Sequence, residues 1–264
     1  MIPFPKAVMP ASLDLNRAYG SHPTQRYDVI VPEDRGRKSL VVCLHGGWWH
    51  QGHHYDLRPL MMILAEHGHP AASLGVRPLG GDGARHGGDL IADAKTGLAK
   101  LVEDAHLAGY EGSVVLLGSG SGSLTALVAA HQLSQERGGV RVRAVVACGL
   151  TPSLDHNDGW ALPLAKYIDQ FAGGNRHALS PLHLKPEGFP PVLSLHGDQD
   201  VDVPAKLAQK FHQRQVEAGE DSHLMVLAGA GHHFMEHPYA PSGRTALDHL
   251  WPFLAEAGIE PEAR

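Results

Sequence analysis

Ser113–His131 reads SVVLLGSGSGSLTALVAAH, and its pattern changes period within a few residues. Val114–Leu117 is a short apolar run that opens on β-branched residues, the signature of a buried strand. Gly118–Ser123 contains nothing but glycine and serine, the composition of a tight turn. Beyond it Leu124, Leu127, Val128 and His131 recur at helical spacing. A strand, a tight turn and a helix in that order bring backbone N–H groups and a positive helix end to the carboxyl edge of a sheet. Anions, or oxyanions that develop during a reaction, are commonly held there.

Two glycine frames use that geometry. A dinucleotide-binding loop would be G-x-G-x-x-G, and here Ser123 stands at the third glycine. The turn also sits in mid-chain, with no acidic residue at the end of the next strand, so that frame fits poorly. A nucleophile elbow would be G-x-S-x-G, and Gly118 and Gly122 supply its outer glycines. Its middle position is Gly120, so the frame is present and the serine is missing.

Outward from this stretch, strand and helix patterns alternate. Arg26–Val31 reads as an edge strand, Ser39–Leu44 as a buried strand, Leu57–His67 as a helix and Ala71–Val76 as a strand. Residues 1–24 look like an irregular lead-in, Glu33–Lys38 a charged turn and Arg77–Gly88 a glycine-rich loop. Asp89–Ala108 is a long amphipathic helix. Val140–Ala147 and Val192–His196 read as buried strands, Pro204–Glu217 as a helix and Ser222–Leu227 as the last strand. Thr245–Ala257 closes the chain as a helix bent or broken at Pro252. The alternation predicts an α/β fold with a mostly parallel central sheet and helices on both faces. Residues 149–190 interrupt the rhythm; Trp160, Leu164, Ile168 and Phe171 fall at near-helical spacing and predict a small cap insertion over the carboxyl edge of the sheet. A surface excursion packing on itself is the competing reading.

The 264 residues, 43% of them hydrophobic, suit one large domain covering 1–264. A formal charge of −6 with 22 basic residues gives no electrostatic case for nucleic acid. No run approaches a membrane span, and the proline-broken amino terminus lacks the apolar core of a signal peptide. Cys43 and Cys148 lie in apolar strand patterns as free thiols, so a reduced, cytoplasmic protein is expected. Among the 20 histidines, His50, His53 and His54, with His67 and His69, invite a metal reading. No cysteine or carboxylate cluster completes a site, so no metal and no cofactor are expected.

Four sites recur at strand ends. His45-Gly46-Gly47-Trp48 follows the Ser39–Leu44 strand, and adjacent glycines there let the backbone aim N–H groups into a site. The glycine–serine turn is the second. His196-Gly197-Asp198-Gln199-Asp200 is the third, and Gly229-Ala230-Gly231-His232-His233-Phe234, after the last strand, the fourth. This combination resembles the carboxylesterase branch of the α/β-hydrolases, of the hormone-sensitive-lipase and feruloyl-esterase-like kind, and is similar to kynurenine formamidase. The family's HGG-x-W is matched by His45–Trp49. Its elbow, G-H-S-A-G-G, is matched at Gly118 and Gly122, with Ser119 at the family's His, Gly120 at its Ser and Ser121 at its Ala. The resemblance runs from about Tyr27 to Phe253.

The resemblance implies an α/β-hydrolase fold with Asp200 as triad acid, His232 as base and Gly120 at the vacated nucleophile position. Backbone N–H groups of Gly46, Gly47, Trp48 and Ser121 would form an oxyanion hole, and His45, Trp49 and Ser119 would line the substrate pocket. Rival readings attach to several of these. Asp200 could cap the helix that begins near Val203, and Asp198 competes for the acid role. His232 could be a solvated loop histidine. The two tryptophans could be core or an acyl-pocket wall. Ser119 or Ser121 could stand in as nucleophile, although an elbow presents a single side chain at its apex. The implied function is hydrolysis of small carboxylic esters or aryl amides, weak or absent because Gly120 has no attacking oxygen. The alternative is a non-catalytic binding protein for a carboxylate or ester on the same scaffold, the small molecule being the expected partner in either case.

Overall fold

The buried strands are mostly apolar along their length, and their two-residue period shares those side chains between two separate cores. The computed structural model describes residues 10–33, 39–107, 113–160 and 162–256. Among the described residues eight strands make one sheet: β1 (Pro10–Ala18), β2 (Arg26–Pro32), β3 (Leu40–Leu44), β4 (Ala71–Leu74), β5 (Val114–Ser119), β6 (Val142–Cys148), β7 (Val192–Gly197) and β8 (Ser222–Leu227). Their spatial order is β1-β2-β4-β3-β5-β6-β7-β8. β2 is antiparallel to both β1 and β4, and every pairing from β4 to β8 is parallel.

The helices are α1 (Arg58–Glu66), α2 (Gly87–Leu107), α3 (Ser121–Ser134), α4 (Ala165–Ala172), α5 (Ala205–Glu217) and α6 (Pro241–Leu254). Leu40, Val42, Val114 and Leu116 face one way, into a core shared with α2, α3, α4 and α5. Val41, Cys43, Val115 and Leu117 face the other way, toward α1 and α6. The sheet is thus covered on both sides. Burial pushes the Cys43 thiol up to about 12, which keeps it protonated and inert at neutral pH.

Three sequence readings need correction. The expected irregular lead-in contains β1, whose Leu13 and Leu15 are half exposed; the alternation is too polar to register as a strand until β2 supplies the ladder. Consequently Arg26–Val31 is not an edge strand but is paired on both sides. α6 begins at Pro241, earlier than expected, and runs through Pro252 to Leu254. Residues 1–9, residues 34–38 of the charged turn, Ala108 and Ala257 lie outside the described residues.

Between β6 and β7 the chain makes a small helical insertion of α4 and five single-turn 3₁₀ helices. Phe171 of α4 is fully buried against Trp49, ring centroids 4.1 Å apart, which ties the insertion to the body. Among the described residues no helix is long and apolar enough to cross a membrane.

Candidate active site

The parallel order sends the ends of β3, β5, β6 and β7 to one edge of the sheet, and the loops there converge. Gly120 joins β5 to α3 with φ 51° and ψ −122°, a sparsely populated conformation that favours glycine. Its N–H donates to the Cys148 carbonyl at 2.8 Å. Its own carbonyl accepts from the Ser123 N–H at 2.9 Å and the Ser123 hydroxyl at 2.6 Å. The outer glycines are required by contact. A Cβ on Gly118 would lie 2.4 Å from the Gly122 carbonyl oxygen, and one on Gly122 would lie 2.3 Å from that of Leu44. The G-x-x-x-G frame is therefore the steric signature of a sharp strand-to-helix reversal packed against β3.

A Cβ built on Gly120 would point at His232 and meet its Nε2 at 2.9 Å. The other ring nitrogen, Nδ1, donates to Asp200 Oδ2 at 2.7 Å. The ring stacks on Trp48, centroids 5.7 Å apart and planes within 10°, and Gly149 leaves room for it, since a Cβ there would sit 3.2 Å from the imidazole. Asp200 is saturated with donors. Oδ1 accepts from the N–H groups of Asp202 and Val203, at 3.0 and 2.8 Å. Oδ2 accepts from His232 and lies 3.1 Å from His196 Nε2, which also reaches the Val203 carbonyl at 2.9 Å. Burial by itself would push the Asp200 carboxyl up, but the hydrogen bonds from His196, His232 and Val203 outweigh it and hold the group well below the usual carboxylate range. The capping reading of Asp200 is not met, since α5 starts at Ala205 behind Pro204 with no side-chain cap; one carboxylate oxygen instead pins the turn ahead of the helix while the other faces His232. Asp198 instead accepts from the Gly229 N–H at 2.7 Å in an exposed loop.

The Gly46–Trp49 turn lies beside this group. Gly47, Trp48 and Trp49 all have positive φ, at 95°, 50° and 62°. The turn is held by the Gly47 carbonyl, which accepts from His50 and Gln51, and by the Leu79 N–H, which donates to the Trp49 carbonyl at 2.7 Å. A Cβ on Gly46 would come within 3.0 Å of the Ser119 carbonyl, so this turn and the β5–α3 reversal are packed back to back. Ser121 begins α3, where helix N–H groups have no partner within the helix.

The two tryptophans separate. Trp48 is half-buried and touches His232 and Trp160, the latter edge-on at 5.9 Å, whereas Trp49 is buried in the core against Phe171. His45 is half-buried with Nδ1 hydrogen-bonded to the Gly46 carbonyl, and desolvation pushes its pKa down. It borders a chamber of about 490 Å³ with His53, Asp56, His233, Glu236 and His237. Ser121 lines a small internal void with His45, Trp49 and Thr125, and Ser119 is buried beneath the turn. Three contributors went unassigned in the sequence: His196, Gly149 and Trp160. The His196-Gly197-x-x-Asp200 spacing at a strand end was the available signal for the first; the other two depend on loops meeting in space.

The sequence matches no family model and no curated protein. Solved structures do match. Thermogutta terrifontis esterase 2, phosphonylated by sarin, superposes with a TM-score of 0.78 at 22% identity, covering 99% of each chain. A hyperthermophilic esterase from Pyrobaculum calidifontis gives 0.80 at 19%, over 96% of this chain and 88% of the other. A truncated carbohydrate esterase from gut microbiota gives 0.76 at 16%, over 97% and 99%.

This is the α/β-hydrolase fold. Its mostly parallel sheet flanked by helices is the order found here, and the small helical insertion between β6 and β7 corresponds to a cap.

Proposed function

We propose that this chain is a carboxylesterase-type α/β-hydrolase whose site keeps its acid, base and anion-binding turns but lacks the attacking oxygen, so that turnover of small carboxylic esters or aryl amides is weak or absent. The observation that carries this is the line from Asp200 Oδ2 through the His232 ring to the point where a side chain on Gly120 would begin, 2.9 Å from Nε2. In this reading Asp200 fixes the His232 tautomer with Nδ1 protonated, leaving the Nε2 lone pair to accept a proton from a hydroxyl at the apex. N–H groups of Gly46, Gly47, Trp48 and Ser121 would stabilise the oxyanion. With glycine at the apex the covalent step is lost, a change that costs serine hydrolases about 10⁶-fold in turnover. Ser119 and Ser121 are poor substitutes, since the direction that meets His232 belongs to Gly120.

Gly120→Ser tests the reading. The folded variant is expected to hydrolyse p-nitrophenyl acetate with a burst and to be labelled by a fluorophosphonate at the introduced hydroxyl, while the native chain does neither. A folded variant that stays inactive and unlabelled would refute the assignment of Asp200 and His232.

A second reading, a carboxylate-binding protein, is supported by the exposed side of Trp48 beside the start of α3, where N–H groups and the helix dipole favour an anion. Another structure of the Thermogutta esterase, 21% identical, has propionate bound. Saturable quenching of tryptophan fluorescence by propionate in the native chain, abolished by Trp48→Ala, would favour this reading.

A further inference from the structure

We propose that Asp155, His177 and His183, on the insertion between β6 and β7, form a binding site for a divalent transition cation of the zinc class. Among the described residues this is the one group of three His, Cys, Asp or Glu side chains whose ligating atoms all lie within 4.8 Å of one another. His183 Nε2 is 2.7 Å from Asp155 Oδ2, and the His177 and His183 rings lie 4.3 Å apart, centroid to centroid. A cation would draw these atoms to a common centre at about 2.0–2.2 Å.

The backbone beneath is already organised for it. His177 opens one 3₁₀ turn, His177–Leu179, and His183 closes the next, Pro181–His183. Between them Ser180 is fully buried; its hydroxyl donates to the Arg176 carbonyl at 2.8 Å and accepts the Leu154 N–H at 3.1 Å. The Leu182 N–H donates to the Pro152 carbonyl at 2.9 Å, and the Arg176 guanidinium bonds the Leu154 carbonyl. Buried Leu179 and Leu182 hold the two turns down. The segment carrying Asp155 is therefore fastened to the turns carrying both histidines from below, while the donor groups stay at the surface. Arg176, next to His177, has its charge met by Asp169 at 2.6 Å and so does not oppose a cation.

Donor chemistry selects the metal. Two imidazoles and one carboxylate suit zinc, cobalt or nickel; calcium and magnesium take oxygen sets. Three protein ligands leave the remaining position to water. Each imidazole would bind through a nitrogen that carries no proton. The bound cation would clip together two stretches of the insertion that hydrogen bonds and apolar packing already join, at the root of the loop that carries Trp160 onto Trp48. The inference is independent of whether the site below turns over.

The test titrates the full chain near neutral pH with Zn²⁺ by calorimetry and with Co²⁺ by visible absorption, using citrate-washed protein. One equivalent should bind with a nitrogen- and oxygen-ligated Co²⁺ spectrum and raise the melting temperature. His177→Ala and His183→Ala should each weaken binding at least about tenfold, and His156→Ala, an exposed neighbour outside the set, should bind as the native chain does. No uptake, or uptake unchanged in both His177→Ala and His183→Ala, would overturn the proposal. Circular dichroism melts of the metal-free variants show that the comparison is between folded proteins.

Discussion

Gly120 is the residue at which chemistry and backbone strain meet. Its φ of 51° is costly for any residue with a Cβ, by about 1–3 kcal/mol. A side chain there must also displace a His232 ring held by both Asp200 and Trp48. Gly120→Ala should therefore lower stability by about 1–3 kcal/mol in urea unfolding, although the position is buried and the substitution adds apolar surface. A stability equal to or above the native value would show that the reversal is not strained as described. The same arithmetic says that glycine relieves a cost an attacking residue would impose. His196 makes the complementary point. Its Nε2 lies 3.1 Å from Asp200 Oδ2 and 2.9 Å from the Val203 carbonyl, so a buried imidazole helps orient the carboxylate that orients His232.

At the scale of elements, α4 is the anchor of the insertion. Its apolar positions Ile168 and Phe171 repeat at helical spacing and enter the same core as α2 and α3. Phe171 stacks on Trp49, and Gly87 at the start of α2 gives its ring space, a Cβ there coming within 2.6 Å. Removing that ring leaves a void that neighbours on three elements cannot all close. Phe171→Ala should cost about 3–5 kcal/mol, read as a lower urea midpoint; a loss below about 1 kcal/mol would mean that the insertion rides on the surface. Because Trp49 and Trp48 are consecutive, the same substitution should loosen the stack of Trp48 on His232, visible as altered tryptophan fluorescence.

For the whole molecule, the buried titratable groups set the pH range of stability. Burial lowers the pKa of His45 and His131 from the ordinary 6.5. A depressed folded value means that the unfolded chain binds the proton first, so stability is present above about pH 6.5 and is lost as pH falls toward the folded values. Asp200 follows the same sign lower down: its contribution is complete above about 3.8 and declines as pH falls below it. His233, raised chiefly by its bond to Glu236, has the opposite sign, adding stability at low pH and losing it as pH rises through its folded value. Desolvation at buried His131 and half-buried His45 outweighs the half-exposed His233–Glu236 pair, which is screened by solvent. Melting temperatures taken from pH 8 to pH 4 should fall in a first step below about 6.5. A flat profile across that step would show that these rings remain solvated.

Much of this was legible before any coordinates. The period change around Gly118–Ser123, the runs in β3, β5, β6 and β7, and the glycine pairs at strand ends specify a doubly covered parallel sheet, because two-residue and 3.6-residue periods are local properties of the chain. Asp200, His232 and Gly120 were likewise marked by their neighbours. Tertiary structure decided what local pattern leaves open. β1 exists because β2 offers it a ladder; Trp48 and Trp49, adjacent and alike in sequence, are split between site and core by consecutive positive φ values. Asp155 reaches His177 and His183 through a fold of the backbone that no motif records. Periodicity reports which face of an element is buried, but contact between elements depends on how their buried faces pack, and that is settled by the whole chain at once.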